Sequence, residues 1–558
     1  MKSIPKNIAQ LLKSNSERFQ NHLIFRERNN NGWKEISWSS FYKNVLKISF
    51  NLKERGFEKG DKMMIYSPNR AEMLQLSLAV MASGGISVPV FAHYRRDTIL
   101  SLINHSDARF LTLAGEWQAA QLSTNLNLKE VFIFDTMSSK NFTPFLELLD
   151  PYSEDYELKL SSSPDEICLN MYTSGTMGIP KCVQLSHRNI LSQQEAMSQL
   201  WNVNENDRYL SYLPWHHSFG GIFELFSSLY NGATMSLESG FGKDAGILYE
   251  NWKLVKPTVF FSVPRVYENL INLCKEKKEA DSNLFHPELK FIFTAAAPLP
   301  SHISDEFEKR NIPIMEGWGL TETSPCCTIT PLDKKRKPGY VGFPIPGVTL
   351  KIMDDGEILV KGPNVMAGYY KNDNANKEVF AEDGWFRTGD VGEMTEDGLK
   401  LIARKDRIFK LTNGEKVIPS ELESLLQCKC HYISFAFVTG NGKDHPVAIL
   451  FPNQQLLRDP SYNVSPLDGC FCPRSIYELG KCLRGCMSDV NNENKKKFTR
   501  IKSMMLVDDE LSIEKQTLTP SLKASPGNIL NIYKAHLENL YGAENSVKEN
   551  VYVINLDQ

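Results

Sequence analysis

The sequence lacks any uncharged apolar run of the ~18–20 residues that would span a bilayer. The longest candidate, Leu76 to Phe91, is broken by Ser83, Gly84, Gly85 and Pro89 and reads as a helix leading into a strand. The start, MKSIPKNIAQLLKSNSERF, is polar and amphipathic without an apolar stretch, so no secretory leader is expected. No basic stripe interleaved with aromatics occurs, and a formal net charge of −3 argues against a nucleic-acid partner. The Walker A pattern GxxxxGK[ST] is missing, which excludes an ordinary P-loop NTPase. There is no internal repeat, no low-complexity tract and no signature of an oligomeric state. An odd total of eleven cysteines fits no secreted disulfide framework. Six of them, Cys428, Cys430, Cys470, Cys472, Cys482 and Cys486, gather near His431 in the C-terminal region. Their Cys-x-Cys pairs are not the zinc-knuckle spacing, and buried reduced thiols are the expectation. The expected location is cytoplasmic, with transient contact at a membrane surface.

What is present is the composition of a folded protein, 42% hydrophobic and 23% charged, in a chain of 558 residues that is too long for one core. Helix-like and strand-like patterns alternate through the first ~160 residues. Tyr42–Gly56, Arg70–Ser83 and Asp97–Asn104 read as helices; Lys62–Tyr66, Ile86–Phe91 and Phe110–Leu113 read as strands. That rhythm implies a mostly parallel sheet covered on both faces. Met137 to Pro164 reads as a polar connector, Lys275 to Glu288 as a charged, exposed insertion, and Val547 to Gln558 as a frayed tail. Between them, Arg188–Gln199 and Ile222–Leu229 read as helices, and Tyr209–Leu213, Thr234–Leu237, Thr258–Ser262 and Leu289–Thr294 as strands. Short strands with glycine turns from Gly339 to about Ile402 suggest a small antiparallel unit, and from Asp406 a hairpin-like pair and a helix open a separate domain. The expected class is α/β: a large N-terminal domain of mixed, mostly parallel sheets with flanking helices and a small β unit (residues 1–404), followed by a smaller, mobile α+β lid (residues 405–558).

The chemistry concentrates in a few loops. Met171 to Lys181, MYTSGTMGIPK, offers hydroxyls at Thr173, Ser174 and Thr176 and close backbone approach at Gly175 and Gly178. With the point charge of Lys181, the segment suits the phosphates of a nucleotide, although Ser/Thr/Gly runs are commonly plain turns. Glu316 to Thr323, EGWGLTET, brings Trp318 as a face for a purine, Thr321 as a phosphate hydrogen-bond donor and Glu322 as a carboxylate for Mg²⁺. Gly384 to Gly392 carries Asp390, placed to accept hydrogen bonds from ribose hydroxyls; Ala403 to Lys410 carries Arg404 as a second ribose or phosphate contact. Leu518 to Ser525 holds a lone lysine, Lys523, in a polar turn.

In this order, TSGTMGIPK, LPWHHSFG, WGLTETSP, GWFRTGD, the Arg404 segment and Lys523 resemble the adenylate-forming superfamily of acyl-CoA synthetases, nonribosomal adenylation domains and luciferases. SVPRVYENL, KLTNGEKVIPSELE, FTRIKSMMLV and LTPSLK are similar to the long-chain fatty acyl-CoA synthetase branch. The resemblance spans about residue 10 to Gly542. It implies that a carboxylate attacks the α-phosphorus of ATP, giving acyl-AMP and pyrophosphate, and that CoA thiol then displaces AMP. It further implies that Lys523 bridges the carboxylate and α-phosphate, that Glu322 and Thr321 anchor Mg²⁺ and the α-phosphate, and that Asp390 and Arg404 fix the ribose. Adenine is then expected against Trp318–Gly319 and the backbone of Ala295, Ala296, Ala297 and Pro298, with His217 beside the acyl pocket and a hinge at Asp406. Trp215, Phe219 and Phe223 are either acyl-pocket lining or ordinary core. Two alternatives follow: an acyl-AMP ligase that loads a carrier protein's phosphopantetheine, and a non-catalytic acyl- or nucleotide-binding homologue. The second is prompted by ASPGN after Lys523, where long-chain relatives carry basic residues.

Overall fold

A computed structural model describes residues 4–29, 32–122, 126–135, 142–153, 155–173, 180–295, 297–430, 432–458, 473–494, 496–512, 514–518, 524–542, 547–548 and 551–556. Among these residues, two large sheets dominate. An eight-stranded sheet runs in the spatial order Gly368–Tyr369, Lys181–Ser186, Ile167–Thr173, Ile86–Val90, Lys62–Tyr66, Phe110–Leu113, Glu130–Ile133, Thr143–Pro144. Its strands are parallel from Ile167–Thr173 to the Thr143 edge, and antiparallel at the other edge. A nine-stranded sheet has parallel strands Arg208–Ser211, Thr234–Leu237, Val259–Ser262, Phe291–Thr294 and Ile314–Trp318, flanked by antiparallel edges. The strands of the parallel parts are near-continuous apolar runs because helices cover both faces. Helix Ala71–Ala82 shows the consequence: AEMLQLSLAVMA buries ten of its twelve residues, since it has no solvent face.

One apolar core joins helix Ile8–Phe19, both large sheets and an antiparallel sheet of Thr349–Ile352, Glu357–Lys361, Phe386–Thr395 and Gly398–Arg404. Of three further cores, one lies against the eight-stranded sheet around Met64, Val88 and Leu111, and two lie on the faces of a five-stranded sheet built from residues after Phe409. The α/β class is as expected from sequence, and so is the hairpin Phe409–Lys410/Lys416–Val417 that leads into helix Pro419–Lys429.

Three readings need correction. Val551–Asn555 is not a frayed tail but a strand paired antiparallel to Ser503–Val507, with Val551, Val553 and Ile554 buried. Its β-branched, apolar residues gain more from covering that sheet edge than from solvation. The 275–288 segment is charged outside yet packed inside: helix Lys278–Leu284 buries Ala280 and Leu284, and Asp281 pairs with Arg310 at 2.6 Å. The connector region around 137–164 is likewise not all exposed, for the turn Phe145–Leu149 buries Phe145 and Leu148; residues 136–141 lie outside the described residues. No helix among the described residues is long and apolar enough to cross a membrane, and no described group of His, Cys, Asp or Glu is arranged to hold a metal ion. Cys430 and Cys486 are buried, and each thiol faces the other, which together with burial pushes the Cys430 thiol up.

Candidate active site

The paired strand ends Thr173 and Lys181, the 214–221 loop, the Trp318–Thr323 turn and the Asp390/Arg404 strand pair are linked to one another by side-chain contacts. Ser186 starts the linkage. It caps helix His187–Leu200 in a reciprocal box with Asn189, whose amide donates to the carbonyls of Pro363 and Val365, both at 2.8 Å. That holds the following chain against Lys181–Ser186, where Gly368 and Tyr369 pair with Gln184 and Val183. Met366 N–H donates to the Glu322 carbonyl at 2.8 Å, which brings the Glu322 turn to the same place.

Tyr369, which nothing in the linear sequence singled out, is therefore central. Its hydroxyl donates to Glu322 Oε1 at 2.7 Å, and Lys181 Nζ sits 4.9 Å from its ring centroid. Burial, then the Glu322 charge, drive the Tyr369 phenol well above its ordinary pKa, so it remains a donor. Thr173 donates to the Lys181 carbonyl at 3.3 Å, closing the base of the hairpin. Ser174, Gly175, Thr176 and Gly178 lie outside the described residues, as do Ala296 and Lys523.

The 214–221 loop meets the Glu322 turn through Ser218, another unpredicted contact, whose hydroxyl is 2.9 Å from that of Thr321. The backbone N–H of Phe219 donates to His217 Nδ1 at 3.3 Å, which places that ring's proton on Nε2. Neighbouring His216 packs on Phe91 at 5.2 Å between centroids and is held neutral by burial, its pKa down to about 4. A π-helical turn, Phe219–Glu224, follows. Phe219 and Phe223 belong to an aromatic core, 5.7 and 4.9 Å from Phe293 between centroids. Trp215 instead lines an apolar cavity of about 20 Å³ with Met73, Leu78, Met81, Met171 and Phe226, so the three aromatics divide between lining and core.

Asp390 and Arg404 face each other across adjacent strands, and Arg404 Nη1 donates to Asp390 Oδ1 at 3.0 Å. Gly389, at φ +69°, admits the guanidinium: a Cβ there would lie 3.1 Å from Arg404 Nη2. Burial opposes the Arg404 charge, but Asp390, Asp406 and Glu322 outweigh it and raise the pKa. Trp318 is 8% exposed and donates its indole N–H to Asp390 Oδ2 at 2.8 Å. Its visible work is to orient that carboxylate, and only a sliver of ring is open for stacking. Gly319 is required by close approach, since a Cβ would fall 1.8 Å from the Pro325 carbonyl oxygen. Ala297 is exposed. Asp406 is exposed, 3.8 Å from Arg404.

Comparison with known proteins matches residues 12–370 to the AMP-binding enzyme family and residues 406–466 to the AMP-binding enzyme C-terminal domain. Similar proteins include a peroxisomal long chain acyl-CoA synthetase 6 of Arabidopsis thaliana, 26% identical over 88% of this chain and 80% of its own. A long-chain-fatty-acid–CoA ligase, FadD15, of Mycobacterium bovis is 25% identical over 96% and 97%. Among solved structures, the anthranilate CoA ligase AuaEII with anthranoyl-AMP superposes with a TM-score of 0.80 at 20% identity, covering 96% of this chain and 98% of that one. The Bacillus subtilis o-succinylbenzoate CoA synthetase MenE with ATP and magnesium gives 0.74 at 22% identity, covering 92% and 98%. The chain belongs to the AMP-binding enzymes, and so to the adenylate-forming superfamily, as an AMP-forming ligase resembling the long-chain acyl-CoA synthetases.

Proposed function

We propose that the protein activates a long-chain fatty acid with ATP and transfers the acyl group to CoA. The carboxylate oxygen bonds to the α-phosphorus as the bond to pyrophosphate breaks; the CoA sulfur then bonds to the acyl carbon as AMP leaves. The observation that carries this reading is the convergence of Lys181, Tyr369 and Glu322 with Thr321–Ser218 and with the Trp318–Asp390–Arg404 group. Such a reaction needs charge neutralisation more than a protein nucleophile. In this reading Lys181 and the Thr173–Gly178 loop, with Ser174, Gly175 and Thr176, face the β- and γ-phosphates. Asp390 and Arg404 take the ribose, and Ala296, Ala297, Trp318 and Gly319 flank the adenine. Glu322 fits Mg²⁺: it is a hard carboxylate, half-exposed, with Oε1 held by Tyr369, and Thr321 adds a hydroxyl beside it. When bound, the ion neutralises triphosphate charge.

The acyl chain is assigned to the apolar cavity lined by Trp215. At about 20 Å³ it admits one water, so a chain enters only as Met73, Met81 and Met171 swing aside. The lid, residues 405–558, is proposed to carry Lys523 in for adenylation and out for the thiol, turning at Asp406. The ion pairs on either side support that pivot. Lys405 is tied at 2.8 Å to Glu357 of the large domain, whereas Arg407 pairs with Glu423 and lies over the Phe437 ring, both in the lid. The test is acid-dependent pyrophosphate exchange across acetate, octanoate, palmitate and aryl acids, followed by mass spectrometry of products with CoA or a carrier protein. Exchange that peaks with palmitate and yields acyl-CoA is expected; no exchange with any aliphatic acid longer than octanoate refutes the long-chain assignment.

A further inference from the structure

Arg336 stands outside every segment read as functional, yet its side chain is 1% exposed. Its guanidinium makes three different contacts. Nε donates to Glu316 Oε2 at 2.6 Å, Nη1 to Ser304 Oγ at 3.2 Å, and Nη2 to the Leu299 carbonyl at 2.5 Å. Glu316 returns the grip, with Oε1 accepting from Leu299 N–H at 3.3 Å. Its own side chain is 6% exposed, so the pair is shut off from water.

The partners matter more than the pair. Glu316 lies two residues before Trp318 on the same strand, so both side chains leave the same face. Leu299 lies between strand Phe291–Thr294 and helix Ser301–Glu308, and Thr294 is paired in register with Glu316. Ser304 belongs to that helix. On its own side, Arg336 opens a segment that is stitched to the Asp390/Arg404 sheet. Lys337 pairs with Asp397, Tyr340 bridges to Lys400, and Val341 N–H donates to the Leu399 carbonyl at 2.9 Å. One planar group thus meets the Trp318 strand, Leu299 and helix Ser301–Glu308, and its chain leads to the sheet bearing Asp390 and Arg404.

We propose that Arg336, locked by Glu316, is the positioning residue that sets the width of the adenine slot. It acts through Leu299 and the Trp318 strand without touching nucleotide, and this rests on the nucleotide reading above. A lysine keeps the charge but is a point donor on a flexible stem, unable to hold three acceptors in one plane. Displacements near 1 Å at a binding site carry large consequences.

The experiment measures AMP affinity by calorimetry and steady-state kinetics with ATP and GTP, for wild type, R336K and S304A. R336K is expected to weaken AMP binding and to raise KM for ATP by about tenfold, to lower the preference for ATP over GTP, and to leave KM for the acid and CoA unchanged. Wild-type AMP affinity and nucleotide preference in folded R336K overturn the inference. So does an equal loss across nucleotide, acid and CoA, the mark of general destabilisation. Should R336K not fold, S304A removes one arm alone: AMP binding about threefold weaker supports the inference, and unchanged binding overturns it. If the wild-type protein itself does not bind AMP, the nucleotide reading falls and takes the inference with it.

Discussion

Tyr369→Phe isolates one hydrogen atom's worth of chemistry. The phenyl ring remains under Lys181, 4.9 Å from the ammonium, while the 2.7 Å bond to Glu322 is lost. A hydrogen bond to a charged acceptor contributes about 1.5–3 kcal/mol where water cannot replace it. Tyr369 is 5% exposed, but Glu322 is only half-buried, so water refills part of the vacancy and the net loss is set nearer 1 kcal/mol. That corresponds to a factor of ~5 in rate at limiting Mg·ATP. Glu322→Gln removes the proposed metal-anchoring charge itself and is expected to cost on the order of 10²–10³. If Tyr369 acts only by aiming Glu322, the double variant should be no worse than Glu322→Gln, giving a coupling energy of about 1 kcal/mol. Pyrophosphate exchange titrated with Mg²⁺ at fixed ATP is the assay. Additive losses would show that Tyr369 acts elsewhere, and an unaltered Mg²⁺ dependence in Tyr369→Phe would refute the aiming argument.

Lys523→Ala is expected to cripple adenylation while sparing thioester formation from supplied acyl-AMP; equal loss of both half-reactions contradicts its assignment. Leu78→Trp adds bulk to the cavity beside Trp215 and should shift the optimum toward shorter acids, with an unchanged chain-length profile counting against that cavity. His187, 1% exposed, accepts from Ile8 N–H at 3.4 Å, and burial lowers its pKa to about 4 from an ordinary 6.5. The unfolded chain takes up this proton below pH 6.5 and the folded chain only near pH 4, so stability falls as pH drops through that window. The span of roughly 2.5 pKa units is worth about 3 kcal/mol in all and about 2 kcal/mol by pH 5. Urea unfolding at pH 7 and 5 should show a smaller acid loss in His187→Gln, and identical losses would remove His187 as the source.

What the linear sequence disclosed was residue type in short runs; what it withheld was register. Asp390 and Arg404 were legible as separate polar positions, but only the strand pairing puts them opposite each other. Trp318 was legible as an aromatic plane, yet its indole N–H belongs to Asp390, 72 residues away. Tyr369 and Ser218 carried no local signal, because a tyrosine after Ala-Gly and a serine after two histidines are unremarkable until the chain brings Glu322 and Thr321 beside them. The same physics explains the misread terminus. The run VYVIN has the residues of a strand, but its partner, Ser503–Val507, lies more than forty residues upstream, and no local pattern names a partner.

This difference between type and register also bears on how the site works. Groups proposed to touch substrate are drawn from turns and strands, where side chains remain partly exposed: Thr321, Glu322, Lys181 and Asp390. The groups that hold them, Tyr369, Glu316 and Arg336, are at most 5% exposed. A half-exposed cation or carboxylate can meet a polyanion and its counter-ion without a large desolvation cost, whereas a buried polar group is stable only with every partner in place. The first set is therefore readable as motif because chemistry restricts the residue. The second depends on long-range packing, and any polar residue of the right length at the right register could fill the role. Arg336 and Glu316 sit 20 residues apart and meet in the core at 2.6 Å, so the precision proposed for the nucleotide group rests on contacts that a scan of motifs passes over.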